Sequence, residues 1–380
     1  MKDIEVISNI KTIRVKMFTH NDLDGVSCAL VLKKLYDQKF ITFNFEFISY
    51  NDYDKIKNFF DIHNENGAKL YDYVFITDLN FKSNDYMENI FYPLKEYFME
   101  LNNPSNTYSS LFKKIFFIDH HKDSENFFRD KEFDIFERIE YFNDMTYCAS
   151  LQLFNFIINN QSSEWSNITN GCQRKLFEDK VLWMKSYLTN VHDWDTFNWK
   201  NNNNLVAKDL NILFTHITRG KFFIMQEQKE GLSFYFNKTE KTIINEAYKK
   251  LDQEYKKMLN TSVVLDHIDE ENFIHPDIQY IVVRTDENIS LLSDMLRDDI
   301  LNKHIYKMFN IKYMVNVSFK YGTLNFRRFY DDINLAKIAN IYGGGGHEFA
   351  AGCALDGKNQ LQLSRFILPT VEKYGENLNS

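Results

Sequence analysis

The residue types best suited to chemistry in this chain follow short apolar runs. In the clearest case, the apolar residues 115–118 are followed directly by Asp119, His120 and His121. Four β-prone apolar residues are typical of a parallel strand covered on both faces, and ligands bind at the carboxyl edge of such sheets. A carboxylate with two imidazoles at that edge favours a metal site, although one Asp-His pair after a strand is more often a hydrogen-bonded turn.

Two further apolar runs end in the same kinds of residue. Residues 13–18 precede three such side chains at a spacing of two, namely His20, Asp22 and Asp24. Residues two apart share one face of an extended segment, so these side chains can converge on one pocket. Residues 73–76 precede Asp78. A lone Asp in such a position usually caps a helix or closes a turn, but a His and two Asp on one face favour metal ligation.

Two segments have a helical pattern: one follows the His20, Asp22 and Asp24 motif, and the other precedes a further pair of acidic residues. Apolar residues recur at helical spacing over residues 26–35, so Gly25 marks a strand-to-helix turn. Residues 181–189 are also helical in pattern and lead into Asp193 and Asp195. These acids are candidates for the same metal site.

Two other segments of the first half are predicted to be elements of the fold without a ligand-binding role. Residues 43–48 predict a strand without ligand-type residues of its own. Residues 143–151 predict a loop that enters a helix, and that helix N-terminus could face a phosphate. Capping of the helix by Thr146 or Asp144 is the favoured interpretation, since it needs no ligand.

A second α/β pattern begins after a charged helix at residues 241–259. Its predicted strands are residues 262–265, 278–283, 313–319 and 323–326, and its predicted helices are residues 290–301 and 333–341. Four consecutive glycines, residues 343–346, then precede His347 in a chain with only 13 Gly. Their bare N–H groups can approach a phosphate or a nucleotide sugar closely, which explains the run better than an ordinary flexible loop does.

Composition restricts the classes of function. The chain has 380 residues, 44% hydrophobic and 16% aromatic content and a net charge of -8, which indicates a folded protein that does not coat long duplex nucleic acid. The four Cys are scattered, which argues against a disulfide framework or a structural zinc site. No signal peptide or bilayer-spanning apolar segment is recognisable, so we expect a soluble cytoplasmic protein without a membrane partner.

Together these motifs resemble the DHH phosphoesterase superfamily with a DHH-associated C-terminal domain, over nearly the whole chain. The segment from His20 to Gly25, His-Asn-Asp-Leu-Asp-Gly, is most similar to the NrnB-type branch of nanoRNases, or oligoribonucleases. The element pattern and the resemblance predict an α/β fold. Its parts would be a parallel-sheet catalytic domain at residues 1–215, a helical linker at 216–260, and a smaller α/β substrate-binding domain at 261–380, with a cleft between the domains.

The resemblance implies two Mn²⁺ ions, with Mg²⁺ or Co²⁺ as alternatives. Carboxylate and imidazole ligands without a thiolate agree with Mn²⁺ rather than zinc or copper. The implied ligands are His20 and Asp22 for the first ion, Asp24 and His120 for the second, and Asp78 as a bridge between them. Asp195, followed by Thr196 as in the fourth family motif, would complete the second site, with Asp193 as its competitor.

The resemblance also implies the residues that contact substrate. His121 would contact the scissile phosphate, and Asp119 would orient a neighbouring histidine. In the second domain the implied phosphate-binding or nucleotide-binding residues are Gly344, Gly345, Gly346, His347 and Arg327, with Arg328 as the alternative to Arg327.

The expected activity is hydrolysis of short single-stranded oligoribonucleotides to mononucleotides by a two-metal mechanism with a bridging hydroxide. The rival substrates are a cyclic dinucleotide or its linear product, and 3′-phosphoadenosine 5′-phosphate. A manganese pyrophosphatase would share the first-domain ligands, but the glycine run at residues 343–346 argues against it. A nucleotide sensor without activity is the alternative from another class. The sequence leaves open whether the chain forms a homodimer.

Overall fold

The computed structural model describes twelve parts of the chain and divides it into two compact units, Met1–Ile244 and Asn245–Ser380. The described residues are 13–36, 41–49, 52–66, 71–79, 114–121, 124, 139–159, 174–268, 274–302, 310–330, 332–346 and 348–355. None of the helices in these ranges is long and apolar enough to cross a membrane.

The first unit contains a five-stranded sheet in which every neighbouring pair is parallel. Its strands are β1 (Ile13–His20), β2 (Ile41–Ile48), β3 (Tyr73–Thr77), β4 (Lys114–Asp119) and β5 (Ile139–Asn143), in the order β2-β1-β3-β4-β5. The central strand β3 is buried at all five positions, as expected for an apolar strand covered on both faces. Because all five strands run the same way, their carboxyl ends lie along one edge of the sheet.

The helices of the first unit follow the strands. They are α1 (Leu23–Leu35), α2 (Asp54–Asn66), α3 (Ala149–Asn159), α4 (Arg174–Asp195), α5 (Leu205–His216) and α6 (Arg219–Glu227). Helix α1 is buried almost all round and packs against α3 and α4. A buried hydrogen bond of 2.8 Å between Ser27 Oγ and the Tyr187 hydroxyl joins α1 to α4. Helix α7 (Lys238–Asn260) begins in the first unit and ends in the second.

The second unit contains a six-stranded sheet of mixed direction. Its strands are β6 (Val263–Ile268), β7 (Ile274–Arg284), β8 (Ile311–Ser318), β9 (Thr323–Arg328), β10 (Gly345–Gly346) and β11 (Ala350–Ala354), in the order β10-β11-β9-β8-β7-β6. Only β7 and β8 pair in parallel. Helices α8 (Ile289–Asn302) and α9 (Leu335–Ile341) belong to this unit. One apolar core includes Val315, Phe326, Leu335 and Tyr342.

The predicted fold class is confirmed: a parallel-sheet α/β unit is followed by a long helix and a second α/β unit. The cleft and the domain boundaries at residues 215 and 260 stay predictions. Strand β5 was not predicted from the sequence, since it lies at the end of the sheet order and has the mixed sequence Ile-Glu-Tyr-Phe-Asn. The short hairpin of β10 and β11 was not predicted either, because glycines do not indicate a strand.

Candidate active site

Three neighbouring strands bring the candidate residues of the first unit together. In the order β1-β3-β4, His20 ends β1, Asp78 follows β3 and Asp119 ends β4. The side chains form three sets in which the candidate ligand atoms lie within 4.8 Å of one another. The sets are His20, Asp22 and Asp78; Asp24, His120 and Asp195; and Asp78, Asp119, His120 and His121.

The first set is built on the turn between β1 and α1. His20 Nδ1 lies 2.8 Å from Asp22 Oδ2 and 3.9 Å from Asp78 Oδ2. The other oxygen of Asp22 accepts the Gly25 N–H at 3.0 Å, so Asp22 also caps helix α1. A Cβ atom at Gly25 would lie 2.2 Å from the His20 carbonyl oxygen. The close approach of strand end and helix that forms this set therefore requires glycine.

Asp78 lies at the centre of the cluster with an unusual backbone conformation. Its φ angle is +54°, a left-handed conformation that Asp tolerates better than most residues. Its backbone N–H donates to the Ile118 carbonyl at 2.9 Å, which ties it to β4. Asp78 Oδ1 lies 3.4 Å from His120 Nε2, and that same nitrogen lies 3.3 Å from Asp195 Oδ2. His120 is thus placed between two carboxylates from different elements.

Asp24 is held by the N-terminus of helix α3. Its Oδ2 accepts the Ala149 N–H at 2.7 Å, and its Oδ1 accepts the Ser150 N–H at 3.1 Å. The Ser150 hydroxyl donates to the same Oδ1. The expectation that Thr146 or Asp144 caps this helix was therefore wrong, because the carboxylate that meets its first N–H groups comes from α1. Asp144 instead accepts the Thr146 N–H at 2.8 Å.

His121 and Asp119 form a hydrogen-bonded pair beside the cluster. His121 Nδ1 lies 2.7 Å from Asp119 Oδ1. Burial opposes the charged form of each residue, but the attraction between them dominates, so the pKa of His121 is raised and that of Asp119 is lowered. This pair fixes the imidazole through its Nδ1.

The electrostatics of the cluster fit cations. Burial, followed by the charges of Asp22, Asp24 and Asp195, raises the pKa of Asp78 well above its usual value. Burial, followed by the charges of Asp24 and Asp22, does the same for Asp195. Asp78 Oδ2 and Asp195 Oδ2 are buried without a hydrogen-bond partner in the described part of the chain. Buried carboxylate oxygens without a hydrogen-bond donor are suitable ligands for divalent ions, and such ions would offset the repulsion between the carboxylates.

The two candidate acids at the end of α4 have different surroundings. Asp195 belongs to the cluster, whereas Asp193 accepts hydrogen bonds from Asn202 Nδ2 at 3.0 Å and Asn204 Nδ2 at 2.7 Å. The Asp193 carboxylate is thus engaged with the loop that precedes α5. Of the two, Asp195 is the one that belongs to a set of potential metal ligands among the described residues.

The second unit places the glycine run in a hairpin. A Cβ atom at Gly344 would lie 2.1 Å from the Gly352 carbonyl oxygen, and one at Gly346 would lie 2.7 Å from Ala351 Cα. The close backbone contacts of the hairpin therefore require glycine at these two positions, independently of any ligand. At Gly345 the nearest atom to an added Cβ is Asn340 Oδ1 at 3.8 Å, so this position is open. His347 lies outside the described residues.

The two candidate arginines of β9 are both partly buried. Arg327 Nη1 donates to the Phe326 carbonyl at 2.9 Å, and Arg327 Nε has no hydrogen-bond partner in the described ranges. Arg328 Nη1 donates to the Ile333 carbonyl at 3.3 Å. Arg327 pairs with Ala350 across the sheet, beside the glycine hairpin. Its buried nitrogen makes it the better candidate for an anion, and its role in substrate binding stays a prediction.

The chain is similar in sequence to an oligoribonuclease along most of its length. No family model matches the chain. Oligoribonuclease NrnB from Bacillus subtilis (strain 168) is 24% identical over 345 residues, which cover 89% of this chain and 72% of that protein.

Two solved structures are distantly similar. An exopolyphosphatase-related protein from Bacteroides fragilis has 14% identity and a TM-score of 0.47, and the match covers 95% of this chain and 92% of that one. The exonuclease RecJ bound to manganese has 12% identity and a TM-score of 0.47, with coverage of 95% and 89%. At these TM-scores neither likeness bears on the site.

The strand-end motifs and their convergence on one cluster agree with the resemblance to the DHH phosphoesterase superfamily. In sequence the chain is similar, at 24% identity, to the oligoribonuclease NrnB.

Proposed function

We propose that this protein hydrolyses short oligoribonucleotides to mononucleotides, with two Mn²⁺ ions held in the strand-end cluster. The observation that carries the proposal is the shared position of Asp78. It belongs to one ligand set with His20 and Asp22 and to another with His120. A carboxylate common to two sets is what a pair of closely spaced ions requires.

These sets support the following ligand assignment. His20 and Asp22 would hold one ion, and Asp24, His120 and Asp195 the other, with Asp78 between them. When bound, such ions lower the pKa of a water molecule and offset the charge that develops on the phosphoryl oxygens. Mg²⁺ and Co²⁺ suit the same oxygen and nitrogen ligands.

His121 has the position of a phosphate-binding residue in this scheme. Its Nδ1 is engaged by Asp119 at 2.7 Å, so its Nε2–H is oriented to donate to a phosphoryl oxygen. The raised pKa of His121 favours the cationic imidazole, which strengthens such a hydrogen bond. Asp119 would act through His121 rather than on the substrate.

The choice of a short substrate rests on two observations. The relative of 24% identity is named an oligoribonuclease. The net charge of -8 disfavours long polyanions, whose binding depends on many basic side chains. In this proposal Arg327, His347 and the open Gly345 of the second unit also contact the substrate.

A direct assay tests the proposal. End-labelled tri- to pentaribonucleotides would be incubated with the protein and Mn²⁺, and the products separated by length. The wild-type chain should release mononucleotides, whereas Asp78→Ala should lose activity by at least about 10³-fold, because it removes the shared ligand. The matched control is Asp252→Ala, an exposed acid on α7 paired with Lys256, which should retain full activity. Equal activity of Asp78→Ala and wild type would contradict the proposal.

Rival substrates belong in the same assay. Cyclic di-AMP, its linear dinucleotide and 3′-phosphoadenosine 5′-phosphate would be compared with the oligoribonucleotides by kcat/KM. A higher value for one of these would reassign the substrate but keep the metal centre. Bound metal without hydrolysis of any of them would favour the nucleotide sensor.

A further inference from the structure

The turn before helix α3 carries an exposed aromatic residue two positions from a backbone contact with the candidate metal centre. Tyr147 is 41% exposed although it is flanked by the buried Cys148 and Ala149. Met145 in the same turn is 51% exposed. Ala149 donates its N–H to Asp24, so the backbone of Tyr147 is two residues from a cluster contact. Two residues span at most about 7 Å of chain.

This turn is held in place by one glutamine. Gln152 Nε2 donates to the carbonyls of Tyr147 at 2.8 Å, Asp144 at 2.9 Å and Asp119 at 3.0 Å. The Tyr147 N–H also donates to the Asp144 carbonyl at 3.0 Å. The turn is therefore tied both to α3 and to the end of β4, which carries His120 and His121. An exposed side chain on it has a fixed position relative to the cluster.

The tyrosine ring is supported from one side. Its centroid lies 5.8 Å from that of His192, at an interplanar angle of 41°. His192 Nδ1 in turn accepts the Cys148 N–H at 3.4 Å. His192 lies three residues before Asp195, one helical turn from the cluster. The contact restrains the ring while much of its surface stays open.

We propose that Tyr147 is a stacking platform for the nucleobase of the nucleotide whose phosphate enters the metal cluster. The inference rests on the proposed function and adds to it a base-binding subsite in the first unit. A restrained aromatic face next to a phosphate site fits a base, since bases stack on such rings with little sequence preference. Sequence tolerance is what an enzyme that degrades any short oligonucleotide needs.

A binding experiment separates this inference from catalysis. Uridine 5′-monophosphate and ribose 5-phosphate would be titrated into the Mn²⁺-loaded protein by calorimetry. The wild-type chain should bind the nucleotide roughly 5- to 100-fold more tightly, the range expected for one stacked base. Tyr147→Ala should bind both ligands equally weakly, and Tyr147→Phe should match wild type. The control is Tyr235→Ala, which removes a 52% exposed tyrosine from the loop before α7 and should keep the wild-type preference.

Mn²⁺ affinity and circular dichroism should be unchanged in Tyr147→Ala, which excludes a folding defect. A nucleotide preference that persists in this variant would overturn the inference, as would equal binding of the two ligands by wild type. Neither result depends on hydrolysis. Failure of the wild-type chain to cleave oligoribonucleotides would instead overturn the proposed function.

Discussion

Ser150 holds the carboxylate of Asp24 from 126 residues further along the chain, through its N–H at 3.1 Å and its hydroxyl. With the N–H of Ala149, three donors converge on one buried side chain. The N-terminus of α3 adds a favourable field for negative charge at this position. Asp24 is therefore oriented before any metal ion arrives, and the ion meets a carboxylate with a fixed rotamer.

Removal of the Ser150 hydroxyl should weaken metal binding. We expect Ser150→Ala to lower Mn²⁺ affinity by roughly 10- to 100-fold, the usual effect of losing a partner that orients a ligand. Calorimetric titration with Mn²⁺ measures this directly, and Ser150→Thr should restore most of the affinity. The matched control is Ser27→Ala, a buried serine bonded to Tyr187 instead of a cluster residue. Equal losses in Ser150→Ala and Ser27→Ala would contradict the positioning role.

Gly25 should be intolerant of any side chain. Gly25→Ala places a Cβ 2.2 Å from the His20 carbonyl oxygen, so strand and helix must separate. We expect a loss of roughly 1–3 kcal/mol in the free energy of unfolding, measured by urea denaturation in a chelator. Gly220→Ala is the control, since an added Cβ there meets no atom within 4 Å. This variant should be slightly more stable than wild type, because alanine favours the helical conformation of α6 more than glycine does. The idea fails if both variants unfold at the same urea concentration.

Asp195 should destabilise the protein when no metal is bound. Its pKa is raised in the folded state above the usual value of 3.8, so the folded protein binds more protons than the unfolded chain. The free energy of unfolding in a chelator should therefore decrease as the pH rises above about 4. At pH 7, Asp195→Asn should raise the melting temperature by roughly 2–4 °C.

In the presence of Mn²⁺ the wild-type protein, and not Asp195→Asn, should have the higher melting temperature. The wild-type melting temperature should rise on addition of Mn²⁺, whereas that of Asp195→Asn should rise much less because one ligand has lost its charge. Thermal unfolding of both proteins with chelator and with Mn²⁺ tests both parts. A variant that is less stable in chelator would argue against repulsion within the cluster.

A substitution at Gly345 can distinguish a structural role of the glycine run from a role in ligand binding. An added Cβ at this position meets nothing closer than Asn340 Oδ1 at 3.8 Å, so Gly345→Ala should keep the free energy of unfolding within about 0.5 kcal/mol. If the hairpin approaches substrate as proposed, the same variant should raise KM for a triribonucleotide. Unchanged stability and unchanged KM would remove Gly345 from the substrate-binding site.

Much of the site was predictable because it is encoded in short segments. The spacing of His20, Asp22 and Asp24 and the apolar run before Asp119 each fit within one strand and turn. Parallel strands bring their carboxyl ends to one edge, so their convergence followed from the fold class. The similarity to a known superfamily then supplied Asp195, which lies at the end of a helix rather than a strand.

Contacts between distant segments were not predictable. No local pattern indicates that Asp24 rather than Asp144 meets the N-terminus of α3, because both are suitable acceptors. The reason for Gly344 lies in its approach to Gly352, which depends on a pairing of strands that glycine content conceals. The exposure of Tyr147 could not be predicted from the sequence either, since it depends on how the folded turn packs.

Anomalous diffraction from crystals grown with Mn²⁺ shows directly whether the strand-end cluster holds two ions. We expect two peaks about 3.5–4 Å apart, with an oxygen of Asp78 in contact with both ions. One ion should also contact His20 and Asp22, and the other His120 and Asp195. A single peak, or two peaks with Asp78 bound to neither, would contradict the two-metal centre.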